Sequence, residues 1–294
     1  MAVTAFAPAK VNLYLHVTGR RDDGYHLLES LVAFVDIGDR LTAEPAASLS
    51  LTVDGPEAAD LVAIGDDNLV LRAARLLAER AGITAGAALH LDKHLPIAAG
   101  IGGGSSDAAA ALLALSRLWR TSLEDEALCN LGARLGADIP ACLYRRPVWV
   151  GGIGERLEAA GPLPEAGVLL VNPRKALPTA AVFAARRGPF GDVGRFAPMP
   201  GEAPALALAR ALMLCRNDLT EAAIDLVPEI ATVLARLGRL PGSLLARMSG
   251  SGATCFALFA DRAAAEEARA LVAAAEPRWW CAAAGFVSRP KRPT

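Results

Sequence analysis

Residues 95 to 119 read LPIAAGIGGGSSDAAAALLALSRLW, which puts Gly100, Gly102, Gly103 and Gly104 directly in front of an alanine-rich helix. Each glycine ordered in regular structure costs roughly 0.5–1 kcal/mol relative to alanine. A cluster therefore needs a compensating reason, and the usual one is close approach to the backbone. Successive N–H groups in such a loop converge on one point, and the helix behind them adds the positive end of its dipole. Both features attract a phosphate group. From the loop alone, a hinge or a tightly packed helix start is the competing reading. The helix is predicted to begin at Ser105 or Ser106, with a positive φ expected at Gly103. No Lys-Ser/Thr pair follows the glycines, so the loop is not a Walker A sequence, and serine at position 105 excludes the dinucleotide fingerprint.

A chain of 294 residues is long for one core, so two domains are expected. Its 53% hydrophobic and 21% charged residues suit a folded globular protein. A net charge of −1 offers nothing to a nucleic acid or an acidic membrane surface. The opening MAVTAFAPAK lacks the pattern of a signal peptide, and no Leu/Ile/Val/Phe run reaches membrane-spanning length. The five cysteines are scattered without CxxC spacing, which fits buried thiols in a reducing compartment and a cytoplasmic protein. Oligomeric state is not readable.

In AKVNLYLHVTG, Val11, Leu13, Leu15 and Val17 alternate with Lys10, Asn12, Tyr14 and His16, which predicts a half-buried strand with a polar second face. GRRDDGYH turns, and LLESLVAFVDIGDRLTAEP continues extended. SLSLTVDG and AALHLDKHL read as further strands, with a helix between them that stops at Gly82. A later helix is expected to be capped by Ser122 and to end before Gly136. The stretch EAAGPLPEA, residues 158 to 166, marks the expected boundary between domains 1–160 and 161–294. Beyond it come the buried strand GVLLVNP, a Thr179-capped helix, a Pro/Gly-rich loop from Gly188 to Pro204, helices over about 205–237, a strand–glycine loop–strand, a helix and a last strand. Helices on one side of a sheet predict an α+β second domain of ferredoxin-like type.

APAKVNLYLHV, the glycine loop and MSGSGATCFALF occur in an order that resembles the GHMP small-molecule kinases. The phosphate loop of that family reads Pro-x-x-x-Gly-Leu-Gly/Ser-Ser-Ser. Pro96, Gly100, Gly104, Ser105 and Ser106 match it, with Ile101 for leucine. RRDDGYH and LGADIP extend the resemblance over nearly the whole chain. It implies an α+β, two-domain GHMP kinase architecture, with a ribosomal S5 domain-2-like N-terminal domain, a ferredoxin-like C-terminal domain and an active site in the cleft between them. It implies ATP and Mg²⁺, with Lys10 and Asp138 as the catalytic pair. Pro96, Ile97, Ala98, Ala99, Gly100, Ile101, Gly102, Gly103, Gly104, Ser105 and Ser106 are the implied ATP phosphate loop. Tyr25, His26 and Phe183 would hold a cytidine group of the small-molecule substrate, with Asn12 and Thr179 near its phosphates or sugar-like chain.

Physical chemistry allows those roles. Phosphoryl transfer needs in-line positioning and charge neutralisation more than covalent help, and Lys10 can act as a point charge beside the γ-phosphate. Asp138 precedes Ile139-Pro140, a dipeptide biased toward extended geometry, and its carboxylate could take up a hydroxyl proton. A plain Lys10–Asp138 salt bridge is the bland alternative. Gly250-Ser251-Gly252 is either a hairpin turn or a place where backbone approaches the substrate. The Mg²⁺ ligand stays open among Ser105, Ser106 and Asp107. Asp107 suits the helix dipole but would repel a phosphate, so it faces away or acts through a cation. His90 and His94 flank Asp92 in HLDKH and read as a solvated strand face, not a metal site. A mevalonate- or homoserine-type kinase and a non-catalytic nucleotide-binding regulator are the rival readings.

Overall fold

Strand β1 (Val3–Arg20) runs through the alternating segment, because an apolar face of period two can be buried only against another layer. The polar turn after it closes onto β2 (His26–Ala46), with the Arg21 N–H donating to the Tyr25 carbonyl at 2.8 Å. A computed structural model describes residues 1–62, 67–97, 99–191 and 203–287. The chain continues as β3 (Ser50–Asp54), α1 (Ala59–Val62), α2 (Leu69–Ala81), β4 (Gly86–Asp92), α3 (Gly103–Leu118), α4 (Asp125–Leu135), α5 (Ile139–Tyr144), β5 (Val148–Gly152) and β6 (Arg156–Ala159). Then follow β7 (Gly167–Asn172), α6 (Thr179–Ala185), α7 (Pro204–Met213), α8 (Thr220–Leu226), α9 (Glu229–Gly238), β8 (Leu245–Met248), β9 (Cys255–Phe259), α10 (Arg262–Ala275) and β10 (Trp280–Gly285).

Among the described residues, β1 to β6 form one sheet in the order β3-β4-β2-β5-β6, with β1 paired to β2. Only β3 and β4 run parallel. The second sheet is antiparallel, in the order β10-β7-β9-β8. Counted from its own first strand this is 4-1-3-2, the ferredoxin-like arrangement expected from the sequence. One core lies between the first sheet and α2 to α5. A second joins the second sheet to α6, α8, α9 and α10. A third joins Val11, Leu13 and Tyr14 of β1 to Val168 and Leu170 of β7 and Phe256 and Leu258 of β9. The two sheets therefore meet through a shared core, and β1 lies at their junction. No helix of the described residues is long and apolar enough to cross a membrane.

Several local expectations give way to tertiary structure. The β1–β2 register shifts between Pro8 and Lys10 and again between Asn12 and Tyr14. Such bulges re-aim side chains, and here they break the predicted alternation. Tyr14 joins the apolar core beside Val11 and Leu13, while Lys10 and Asn12 stay together in a polar network. The polar face is buried throughout, not half-exposed: Lys10, Asn12, Tyr14 and His16 are all inaccessible or nearly so. Helix α3 starts at Gly103, two to three residues before the predicted start at Ser105 or Ser106. Helix α4 starts after Glu124 with no side-chain cap, and Asp125 and Glu126 in its first turn complement the dipole in place of Ser122. Ile139-Pro140 opens α5 instead of an extended segment, because proline is tolerated in a first turn, where its missing N–H has no intrahelical partner. Thr179 is the first residue of α6, after Pro178, and does not cap it. Most of the loop expected from Gly188 to Pro204 lies outside the described residues.

Candidate active site

The glycine loop is built around two left-handed glycines. Gly100 has φ +73° and Gly102 has φ +65°, values that L side chains adopt only with strain. Gly103 has no positive φ, so the expectation for it shifts to its neighbours. Gly102 occupies the N-cap of α3, and the first intrahelical bond runs from Ser106 N–H to the Gly102 carbonyl at 2.8 Å. The N–H groups of residues 103 to 105 are thereby left at the open end of the helix, where an anion can accept from them. Pro96, Ala99 and Ile101 are buried and anchor the loop, while Ile97 is half-buried. Ala98 lies outside the described residues.

The second domain braces this loop from behind. A Cβ on Gly100 would lie 2.5 Å from the Gly252 carbonyl oxygen and 2.8 Å from that of Ser249. The Thr254 N–H donates to the Ala99 carbonyl at 3.1 Å. The Ser249 hydroxyl accepts from the Asn12 N–H at 3.1 Å and donates to the Gly100 carbonyl at 3.2 Å. Asn217 steadies the same loop by donating to the carbonyls of Met248 and Gly250, each at 2.8 Å. The backbone that approaches Gly250-Ser251-Gly252 is therefore that of the glycine loop. Gly100→Ala must strain φ and push against backbone, so ATP affinity is expected to fall about tenfold, with αL strain alone contributing about 1–3 kcal/mol. Calorimetric titration with a non-hydrolysable ATP analogue checks this; unchanged affinity would show that the brace tolerates movement.

Lys10 lies against the same helix start. A Cβ on Gly102 would be 3.1 Å from Lys10 Cε, so a larger residue would displace the lysine. Lys10 Nζ donates to Asn12 Oδ1 at 3.0 Å and pairs with Asp138 Oδ2 at 3.0 Å. The lysine side chain is 6% exposed and the aspartate 52%, so a buried cation holds a carboxylate that faces open space. Asn12 is oriented in turn by Ser30: its Nδ2 donates to Ser30 Oγ at 2.7 Å, and that hydroxyl donates to the Tyr14 carbonyl at 2.5 Å. Asp138 sits at the start of α5, where its carbonyl accepts from the Cys142 N–H at 3.1 Å. The predicted pair thus meets at the open end of α3, across two elements far apart in sequence.

Of the three side chains considered for Mg²⁺, two are committed elsewhere. The Ser106 hydroxyl is buried and donates to the Pro8 carbonyl at 2.6 Å. Asp107 is buried against Lys93 at 2.7 Å, so it faces away from the loop. The Ser105 hydroxyl is half-buried and makes no hydrogen bond among the described residues. No group of three or more His, Cys, Asp or Glu side chains among the described residues could hold a metal ion. Such a donor set fits a Mg²⁺ that keeps its waters and is held chiefly by substrate phosphates. His90 and His94 pair with Asp54 and Asp92 respectively, each at 2.8 Å and on exposed surface.

The aromatic residues gather at the other end of α6. Thr179 and Phe183 stand one turn apart on it, a spacing that puts both on one face. The Thr179 hydroxyl meets that of Ser251 at 2.8 Å, and Phe183 stacks on His26 with ring centroids 5.2 Å apart. Tyr25 beside them is 62% exposed. His26, and not Tyr25, thus covers the Phe183 face. Burial, with Arg20 and Arg186 adding to it, lowers the His26 pKa below its ordinary value, which favours a neutral ring that can both donate and accept.

Residues 68–146 match the GHMP kinases N-terminal domain and residues 203–276 the GHMP kinases C-terminal domain. The chain belongs to the GHMP kinase family, and it is an ATP-using small-molecule kinase. It is 54% identical over 291 residues to a 4-diphosphocytidyl-2-C-methyl-D-erythritol kinase from Cereibacter sphaeroides, covering 96% of this chain and 99% of the relative. A crystal structure of 4-(cytidine 5'-diphospho)-2C-methyl-D-erythritol kinase superposes with a TM-score of 0.79 at 38% identity, covering 96% of this chain and 98% of the other. A mevalonate kinase crystal structure matches with a TM-score of 0.69 at 12% identity, over 98% and 100% of the two chains. That last likeness shows the fold alone.

Proposed function

We propose that this chain transfers the γ-phosphoryl group of ATP to the 2-hydroxyl of 4-diphosphocytidyl-2-C-methyl-D-erythritol, a step of the non-mevalonate route to isoprenoids. The observation that carries this is the meeting of Lys10, Asp138 and the open end of α3, in a chain similar over nearly its whole length to kinases of that name. The phosphate loop, residues 96 to 106, holds the ATP phosphates through the N–H groups of residues 103 to 105. Lys10 places positive charge beside the γ-phosphate and aims Asp138. The substrate hydroxyl oxygen bonds to the γ-phosphorus as the bond to the β–γ bridging oxygen breaks. ADP leaves, and the hydroxyl proton passes to Asp138. When bound, Mg²⁺ would neutralise charge on the phosphates, and the Ser105 hydroxyl would help to hold it. Asn12 and Thr179 line the path of the substrate chain, and Tyr25, His26 and Phe183 hold its cytosine.

The division into domains 1–160 and 161–294 is supported by the strand membership of the two sheets. Five free cysteines support a reducing, cytoplasmic setting. A small-molecule substrate is the expected partner, without nucleic acid or membrane. The direct test is a kinase assay of the purified protein on the diphosphocytidyl alcohol, with mevalonate and homoserine as controls. Phosphorylation of a control alcohol in preference would overturn the substrate assignment. Phe183→Ala removes the ring that backs His26 and is expected to weaken binding of the cytidine substrate about tenfold to a hundredfold, the effect of about 1–3 kcal/mol per stacked base, with ATP affinity unchanged. Calorimetry with each ligand separates the two, and equal cytidine affinity would move the base elsewhere.

A further inference from the structure

Three charged side chains from three elements are buried together behind the phosphate loop. Lys93, just after β4, is 1% exposed, Asp39 of β2 is 0% and Asp107 of α3 is 2%. Lys93 Nζ donates to Asp39 Oδ2 at 2.5 Å and to Asp107 Oδ2 at 2.7 Å. Burying such a trio is weak evidence for stability, because apolar residues of similar volume often serve as well or better. Its position points instead to function. The second oxygen of Asp39 accepts from the His94 N–H at 2.6 Å and the Leu95 N–H at 2.8 Å, the residues that lead into Pro96 and the loop. Asp107 is the fifth residue of α3. A Cβ on Gly103, the first residue of that helix, would lie 3.2 Å from Lys93 Nζ. The cluster therefore ties the entry of the glycine loop to its exit, directly behind the N–H groups that face the phosphates.

We propose that Lys93 is a positioning residue for ATP, which holds the entry strand and the N-terminal end of α3 in one geometry through Asp39 and Asp107. This rests on the kinase reading above. An acidic residue this near the start of a phosphate-binding helix opposes its ligand unless its charge is offset. Lys93 offsets it from the buried side. Burial pushes the Asp107 carboxyl up, and the Lys93 ammonium pulls it back down. Asp107 Oδ1 has no partner among the described residues, so the tie to Lys93 runs through Oδ2. One oxygen is enough for it, and an asparagine can supply one.

Asp107→Leu and Asp107→Asn form the deciding pair. Leucine breaks the tie but leaves the Lys93–Asp39 pair intact, whereas asparagine keeps an acceptor for Lys93. Asp107→Leu is expected to weaken binding of a non-hydrolysable ATP analogue about tenfold and to raise KM for ATP equally. KM for the alcohol substrate should stay within about twofold, and Asp107→Asn should restore nucleotide affinity to within about twofold of wild type. Lys93→Met is expected to match or exceed the leucine variant. If it does not fold, the Asp107 pair still decides. Wild-type nucleotide affinity in Asp107→Leu overturns the proposal, as does equal loss in both Asp107 variants or an equal rise in both KM values. Because analogue binding does not depend on which alcohol is accepted, failure of the substrate assignment leaves this test intact. A wild type that binds no nucleotide overturns the kinase reading and this proposal together.

Discussion

Asp138→Asn is expected to lower turnover by about 10²–10⁴-fold, the range for loss of a general base, with KM for both substrates changed by less than about threefold. Asparagine keeps the shape of the side chain and an oxygen for Lys10 to donate to, but it cannot take up the proton of the attacking hydroxyl. The fold should not register the change. The side chain is 52% exposed and makes no capping bond to α5, and the asparagine oxygen still accepts from the buried Lys10 ammonium. Steady-state kinetics and thermal melting on the same preparation separate the two effects. Near-normal turnover would leave Lys10–Asp138 as the plain salt bridge that sequence alone could not exclude.

Lys10→Met is expected to reduce turnover by about 10²–10³-fold, the scale for removing one preorganised donor from a site where charge develops. Methionine reproduces the apolar stem that lies against Gly102 but removes the ammonium. Asn12 Oδ1 then loses its Lys10 partner, at a cost of about 1–3 kcal/mol if it stays dry. Asp138 is half-exposed and regains water, so no buried charge is stranded. Turnover should therefore fall far more than stability, and melting temperature alongside kcat checks this. The double variant Lys10→Met/Asp138→Asn is expected to be about as slow as the slower single variant, because groups that act as one unit are not additive. Multiplying losses would mean that each acts on a separate step.

The motif residues were readable because each motif is local chemistry at fixed spacing. The glycine loop ahead of its helix, the Lys10 strand and the LGADIP segment show their residue types without reference to the rest of the chain, and the ferredoxin-like strand order follows from element type and order. The burial of Lys93 has a local signal as well. It falls between the outward positions His90, Asp92 and His94, so strand alternation turns it inward, although the partners it finds there are not local.

Tertiary structure decided the rest. Ser249 meets Asn12 across 237 residues and Gly100 across 149, and no local pattern encodes contacts at such separation. The bulges on either side of Lys10 and Asn12 depend on pairing with β2, so the periodicity of β1 could not reveal them. His26, not Tyr25, lies on Phe183 because the β1–β2 ribbon and α6 come from different domains and meet only when both sheets share a core. The sequence by itself determined which groups are candidates for the chemistry, since reactivity belongs to residue type and local spacing. Where each group points was decided by packing between elements, because orientation is set by whichever neighbour arrives from elsewhere in the chain.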